Sequence, residues 1–209
     1  MTAGQPAVAD LTAAVRAARD GNQEAFRLLY REVQPGLLRY LRGLVGNNAQ
    51  DAEDIASETW LQIARDIRSF RDEGAGFRGW AARIARNRAL DHVRRNQRRP
   101  AAVLPVALLD ELPDTQDTAQ AAIDLAATDA AIALIATLPR DQAEAVLLRV
   151  VVGLDAEAAA RVMGKRAGAV RTAAWRGLRR LATQLTPPVT GSPGPGVTHS
   201  GPAAPRRSR

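Results

Sequence analysis

Apolar residues in this chain recur at the spacing of one helical turn, and they do so in two separate blocks. In the first block, Ile55, Ile63 and Ile67 fall on a four-residue repeat that Thr59 completes, which is typical of a helix with one buried face. The second block carries a similar inner stripe: Val170, Ala174, Leu178, Leu181 and Leu185. The sequence lacks the sustained apolar–polar alternation of strands. The pattern therefore predicts an all-α protein.

Changes in composition divide the chain. We expect a first small helical domain at residues 10–99 and a second at 128–186, joined by a flexible linker at 100–127. The linker stretch contains prolines and a cluster of acids, a composition typical of connecting segments. Proline and glycine dominate residues 187–209, which we predict to be a disordered basic tail.

The charge balance and the residues that are missing narrow the possible functions. Lys and Arg number 29 against 22 acids, and the formal net charge of +7 favours a polyanionic partner: nucleic acid, an anionic membrane or a ribosome. The chain has no cysteine and two histidines, His92 and His199, which is too few for most metal sites. We therefore expect no catalytic residue, metal or cofactor. Neither a secretory signal nor a membrane span is visible, which predicts a cytoplasmic protein without membrane insertion.

Acidic residues begin the first clear helix, which is predicted from about Gln50 to Ile67. Asp51 and Asp54 lie in its first turn, where the positive end of the helix dipole favours carboxylates. Taken alone, these acids are explained by capping and solvation.

A strongly basic helix is predicted to begin near Gly79. Seven arginines lie between Arg83 and Arg99, and Asp91 is the single acid among them. One acid neutralises only part of that charge, so contact with phosphates is favoured over a merely solvated face. The preceding glycine-bearing loop, flanked by Phe70 and Phe77, has the composition to hold an unstacked base, although such phenylalanines also occur in cores.

The second block has the organisation of a helix-turn-helix. After a helix predicted from Pro139 to Val152, Asp155 can cap a short helix, Gly164 makes the turn, and a longer helix follows to Leu185. Between residues 161 and 186 there are seven basic residues and no acid. Such a face indicates that the counter-charge comes from another molecule, most simply DNA. Trp175 is expected to pack at the edge of this domain.

These residues resemble a known family. The stretches 51–61 (DAEDIASETWL) and 77–95 (FRGWAARIARNRALDHVRR) are similar to domain 2 of the extracytoplasmic-function (ECF) sigma factors, a subfamily of the sigma-70-type factors of RNA polymerase. The stretch 138–149 (LPRDQAEAVLLR), Gly153–Leu154 and the run 164–176 resemble domain 4 of the same family. The similarity extends over most of residues 10 to 185.

The resemblance implies a transcription initiation factor that is not an enzyme and has no small-molecule substrate. The clamp helices of the largest subunit of core RNA polymerase would bind the following residues: Asp51, Asp54, Ile55, Glu58, Trp60 and Leu61. The −10 promoter element would be melted and read as single strand by a second set: Phe70, Phe77, Arg83, Arg86, Asn87, Asp91, Arg94 and Arg95. The −35 element would be read as duplex by a third: Lys165, Arg166, Arg171, Thr172, Arg176 and Arg179. A cognate anti-sigma factor is a further expected partner.

The sequence also departs from the family pattern, and other functions compete with this one. Ala173 stands where the family often has arginine, so the −35 preference cannot be transferred; Ala64 and Ala159 replace bulkier residues. A stand-alone helix-turn-helix regulator would explain the second block but leaves the helix at 50–67 without a role. A small helical nuclease is a further alternative, but the sequence shows no convergent set of catalytic residues for it. A membrane-surface protein would need the apolar residues opposite the arginines for lipid contact, whereas the core requires them.

Overall fold

The computed structural model describes residues 11–46, 48–71, 76–98 and 116–185, and for residues 97, 98 and 116–125 it describes the backbone alone. Most of the expected linker, the tail at 187–209 and the loop residues 72–75 lie outside the described part of the chain. Strands are absent from the described residues, and the predicted all-α fold is confirmed.

Helices α1 to α4 form the first domain. Their bounds are α1 Thr12–Arg19, α2 Gln23–Val45, α3 Ala49–Asp66 and α4 Gly76–Arg98, with a 3-10 turn Ile67–Ser69 after α3. The amide nitrogens that begin α2 and α3 are capped by asparagine side chains: Asn22 accepts from the amide of Ala25 at 3.0 Å, and Asn48 from that of Asp51 at 3.2 Å. The helix predicted at 50–67 is thus α3.

Helices α5 to α8 form the second domain. Their bounds are α5 Gln116–Ala136, α6 Arg140–Val146, α7 Ala156–Met163 and α8 Ala167–Leu185. Because α5 begins at Gln116, the last twelve residues of the stretch expected to be linker (116–127) are helical. Their alanine-rich composition favours a helix once the prolines have passed.

The helix predicted from Pro139 to Val152 is helical but not uniform. Pro139 is the residue before α6, and after Val146 the chain widens into a π-helical turn, Leu147–Val151. The amide of Val152 donates to the carbonyl of Leu147 at 3.0 Å, five residues back. In this wider turn Leu147 and Leu148 are both fully buried.

Each domain has its own apolar core. The predicted stripe of α3 is buried in the first core, together with Ala52, Ala56 and Trp60. The second core is built from α5 to α8, and it also includes Tyr40 of α2 and Ala82 of α4. The two domains therefore pack directly against each other.

The predicted inner stripe of α8 is partly wrong. Val170, Ala174 and Leu181 are buried as expected, whereas Leu178 is 46% exposed and Leu185 71% exposed. Gly177 takes the inner position instead, and a Cβ there would lie 2.8 Å from Cγ2 of Val146. The absence of a side chain lets α8 approach α6 closely, which turns Leu178 toward solvent.

Candidate polymerase and nucleic-acid interfaces

The outer face of α3 is acidic. The carboxylate of Asp51 accepts from the side-chain amide of Asn48 at 2.9 Å and lies 3.0 Å from Nε2 of His92 on α4. Asp54 is exposed, and Glu58 binds Arg88 of α4 at 2.7 Å. Leu61 is 58% exposed beside these acids. The face thus offers carboxylates and one large apolar side chain to a partner.

Two residues expected to contact polymerase point the other way. Ile55 is 4% exposed and Trp60 is 7% exposed, so neither is on the surface of α3. The Trp60 indole donates from Nε1 to Gln34 at 2.6 Å, and its ring lies 4.9 Å from that of Tyr30 and 6.3 Å from that of Phe77. Both residues pack in the first core and position α3, and their contact with polymerase stays a prediction. Ile55 belongs to the apolar stripe, which already indicated its burial.

An aromatic cluster lies between the 3-10 turn and the start of α4. Phe70 stacks on Trp80 with ring centroids 4.7 Å apart, and Phe77 contacts both rings. Phe70 and Phe77 are 9% and 4% exposed, so both rings are largely buried, as phenylalanines that flank a loop often are. The cluster forms part of the wall of a cleft of about 310 Å³, to which Arg83 also contributes. Trp80 was not expected at this site, because its place on the apolar side of the helix suggested core.

The basic face of α4 divides into exposed and engaged residues. Arg83, Asn87, Arg94 and Arg95 are exposed. Asp91 pairs with Arg94 at 3.4 Å, and its carbonyl accepts from Nε of Arg95. Exposed pairs of this kind are weak, so the cations remain accessible to phosphates.

Arg86 is engaged by the second domain. Its guanidinium donates from Nε and Nη2 to the carboxylate of Glu144 on α6, the latter at 3.3 Å. Glu144 is only 3% exposed and also accepts from the hydroxyl of Tyr40 at 3.1 Å. The hydrogen bond to Glu144 raises the pKa of Arg86, which keeps this guanidinium charged. Neither Tyr40 nor Glu144 was foreseen, since their contact joins residues far apart in the sequence.

The helix-turn-helix is formed as predicted. Asp155 caps α7 by accepting from the amide of Ala158 at 2.7 Å. Gly164 ends the helix with φ of +66°, a left-handed conformation that favours glycine. Helix α8 then runs from Ala167 to Leu185, where it was predicted to end.

The residues expected to contact the −35 element all lie on the outside of the second domain. Lys165 and Arg171 pair with acids of their own domain, Asp141 and Glu157, so part of the counter-charge is internal. All six residues of the set are exposed: Lys165, Arg166, Arg171, Thr172, Arg176 and Arg179. Within the described residues, Arg166 and Arg176 form no ion pair, and they are available to another molecule.

Trp175 does not pack at the domain edge. It is 59% exposed, and the guanidinium of Arg179 lies 5.3 Å from its ring centre. Rotation of α8 toward Gly177 leaves this side chain on the outer face with the arginines.

The described part of the chain was searched for membrane-spanning helices and for metal sites. No helix there is long and apolar enough to cross a membrane. Nor does that part bring together three or more histidine or acidic side chains in a group able to hold a metal ion.

Comparison with known families agrees with both domains. Residues 29–99 match the model of Sigma-70 region 2, and residues 128–181 match that of Sigma-70, region 4. These matches correspond to α2–α4 and to most of α5–α8.

Curated relatives are similar over most of the chain. The ECF RNA polymerase sigma factor BldN of Streptomyces coelicolor is 34% identical over 171 residues, which are 82% of this chain and 64% of BldN. ShbA of Streptomyces griseus is 34% identical, covering 81% of this chain and 92% of the relative. SigD of Mycobacterium tuberculosis is 34% identical over 84% of each chain.

Solved structures share the fold. CnrH, solved in complex with the cytosolic domain of CnrY, superposes with a TM-score of 0.59 at 23% identity, over 84% of this chain and 97% of CnrH. RpoE of Bartonella quintana, solved with the anti-sigma factor NepR, gives a TM-score of 0.55 at 23% identity, over 77% and 96%. The family resemblance read from the sequence is confirmed: the chain belongs to the ECF sigma factors of RNA polymerase.

Proposed function

We propose that this chain binds core RNA polymerase, directs it to specific promoters and promotes melting of the −10 element. The observation that carries the proposal is that two exposed basic helices, α4 and α8, stand on separate domains of a sigma factor. Two linked weak sites give selective binding when a partner holds them at the correct spacing. Polymerase supplies that spacing.

Core polymerase binds the acidic face of α3. Asp54, Glu58 and Leu61 are the exposed members of the face, and Asp51 is half-buried beside them. The clamp helices of the largest subunit are the proposed partner. Ile55 and Trp60 hold this face in place from the core.

The −10 element binds at α4 and the aromatic cluster. Arg83, Arg94 and Arg95 supply positive charge for the DNA backbone, and Asn87 supplies a side-chain amide for a base edge. Trp80 is half-buried and lines the cleft together with Phe70, so its ring offers a surface on which an unpaired base can stack. Opening of this cleft exposes Arg86 as a further cation.

The −35 element binds at α8, with the amino-terminal turns of the helix in the major groove. Lys165, Arg166, Arg171 and Thr172 are placed for base edges and nearby phosphates, and Arg176 and Arg179 for the backbone farther along. The Asp141 and Glu157 pairs are exposed and exchange readily for phosphate.

Partners and location follow from this role. The chain acts in the cytoplasm as a regulator of transcription without chemistry of its own. A cognate anti-sigma protein is a further proposed partner, supported by the similar RpoE, which was solved with the anti-sigma factor NepR.

The test combines binding with transcription. Purified protein is mixed with core RNA polymerase, separated by size-exclusion chromatography, and the complex is used for genome-wide run-off transcription, with core polymerase alone as the control. A stable complex that produces discrete new start sites supports the proposal. A protein that elutes apart from polymerase but still binds DNA would be a stand-alone helix-turn-helix regulator.

A further inference from the structure

One face of α2 contacts the second domain through two glycines and a tyrosine. Gly36, Tyr40 and Gly43 lie four and three residues apart, hence on one face of the helix. A Cβ at Gly36 would lie 3.2 Å from the carbonyl of Val151, and one at Gly43 would lie 2.5 Å from Cδ1 of Leu147. Glycine weakens a helix interior. Both glycines therefore allow the second domain to pack closely against α2.

Charged and polar side chains join the domains beside this face. Arg86 of α4 and Tyr40 of α2 both bind the buried carboxylate of Glu144. Arg42 of α2 binds Asp129 of α5 at 3.0 Å. A buried carboxylate without such partners is strongly unfavourable. The pairing of Glu144 therefore stabilises the contact between the two domains.

The closed arrangement restricts part of the proposed −10 surface. The cleft beside Phe70 and Trp80 is bounded on its other side by Arg161 and Val162 of α7. Glu144 meanwhile occupies Arg86 with a carboxylate, where DNA would place a phosphate. The second domain thus forms one side of the cleft and engages one cation of α4.

The closed arrangement is also too short for a promoter. By their numbering, positions −35 and −10 are about 25 base pairs apart, which at about 3.4 Å per base pair is about 85 Å of duplex. Here α4 packs against α7, and α7 leads directly into α8, so the two DNA-binding helices lie within a few helix diameters, each about 10 Å. In the sequence, 17 residues separate Arg98 from Gln116, and any chain of that length can span up to about 60 Å.

We propose that Glu144 is the latch of an autoinhibited closed state, in which its carboxylate holds Arg86 in place of a DNA phosphate. Core polymerase opens the latch by binding the separated domains. The inhibitory part of this proposal rests on the proposed function, because it assigns the −10 surface to α4. The closed state itself does not depend on that assignment.

The test measures the distance between the domains in the full chain. Since the sequence contains no cysteine, spin labels on Ala13→Cys and Ala136→Cys, both exposed positions, report one distance between α1 and α5 by double electron–electron resonance. Three further changes are compared on this background. Glu144→Gln removes the charge, and Gly43→Leu wedges the interface. Glu157→Gln makes the same acid-to-amide change at an exposed residue of α7 whose ion pair, with Arg171, lies within the second domain.

We expect one short distance in the parent protein. Glu144→Gln and Gly43→Leu should each raise the ratio of long to short distances about tenfold or more, because a buried charge pair or a close helix contact is lost. Glu157→Gln should leave the distribution unchanged, and core polymerase should convert the parent protein to the long distance. Unchanged helicity by circular dichroism shows that each variant folds.

Several results would overturn the latch. A parent protein that is already open, or two opening variants that keep the short distance, would show that these contacts do not hold the domains. A short distance that persists in the polymerase complex would show that closure does not inhibit. If polymerase fails to bind any variant, the proposed function fails, while the first measurement still decides whether the closed state exists.

Discussion

The hydroxyl of Tyr40 on α2 donates a hydrogen bond of 3.1 Å to Oε1 of Glu144 on α6. Burial, followed by the nearby Glu144 carboxylate, raises the pKa of Tyr40 well above its ordinary value. The folded protein therefore keeps the phenol proton at a pH where the unfolded chain releases it. The stability due to this group is complete below about pH 10 and is lost as pH rises toward the higher folded-state pKa.

Tyr40→Phe should make the protein less sensitive to alkali. Near pH 7 the variant loses a buried hydrogen bond and about 1 kcal/mol of stability. Between about pH 10 and 11, the parent protein should lose up to about 1.4 kcal/mol more per pH unit than the variant. Melting curves followed by circular dichroism from pH 8 to 11 measure both effects. Parallel pH profiles would contradict the buried position of this phenol.

Gly177→Ala should destabilise the second domain. The new Cβ would lie 2.8 Å from Cγ2 of Val146 and 3.3 Å from the carbonyl of Gln142, so α8 must move outward. We expect a loss of about 1–3 kcal/mol in urea unfolding. Gly168→Ala on the same helix is the control: its Cβ meets nothing within 4 Å, and helix propensity predicts a gain of up to about 1 kcal/mol. Equal effects of the two changes would refute the close approach.

Asp54→Ala with Leu61→Ala should weaken binding to core polymerase without loss of stability. Both side chains are exposed on α3 and contribute nothing to the core. Affinity measured by fluorescence anisotropy should fall about tenfold or more, while the melting temperature stays constant. Ser57→Ala, at an exposed position of the same helix, serves as the control. Unaltered polymerase affinity in the double variant would remove α3 as the docking helix.

Trp60→Ala should behave differently from the surface change on α3. The indole is buried among aromatic rings and bonded to Gln34, so its removal should cost about 3–5 kcal/mol of stability. Weaker polymerase binding would then follow from unfolding. Urea titration with tryptophan-independent detection by circular dichroism checks this. A stable variant would show that the ring is not part of the core.

Arg171→Ala should reduce promoter-specific transcription while polymerase affinity stays the same. If this arginine contacts a guanine, its loss removes about 1–3 kcal/mol of discrimination. Run-off transcription from the promoters found in the genome-wide experiment measures the loss, and size-exclusion chromatography measures complex formation. Glu157→Gln is the companion variant, because it releases Arg171 from its internal pair and should preserve transcription. Equal transcription by Arg171→Ala would exclude it from −35 binding.

Local features could be read from the sequence because each depends on near neighbours in the chain. The four-residue repeat gave α3 its buried face, Asp155 and Gly164 marked the ends of α7, and the runs of arginine marked the two basic helices. Capping, periodicity and charge within one helix need no knowledge of what packs against it. The family followed from the same motifs.

Features that depend on packing between helices could not be read in this way. The stripe of α8 runs through Gly177 because Val146 of another helix lies against it, and the sequence alone favoured Leu178. Arg86 looked like any other arginine of α4 until the fold brought Glu144 to it. Sequence determined α3, α4 and the helices from α6 to α8, the charges they carry and the family. Tertiary structure decided which faces are covered, because burial is set by contacts between distant segments whose geometry no local pattern specifies.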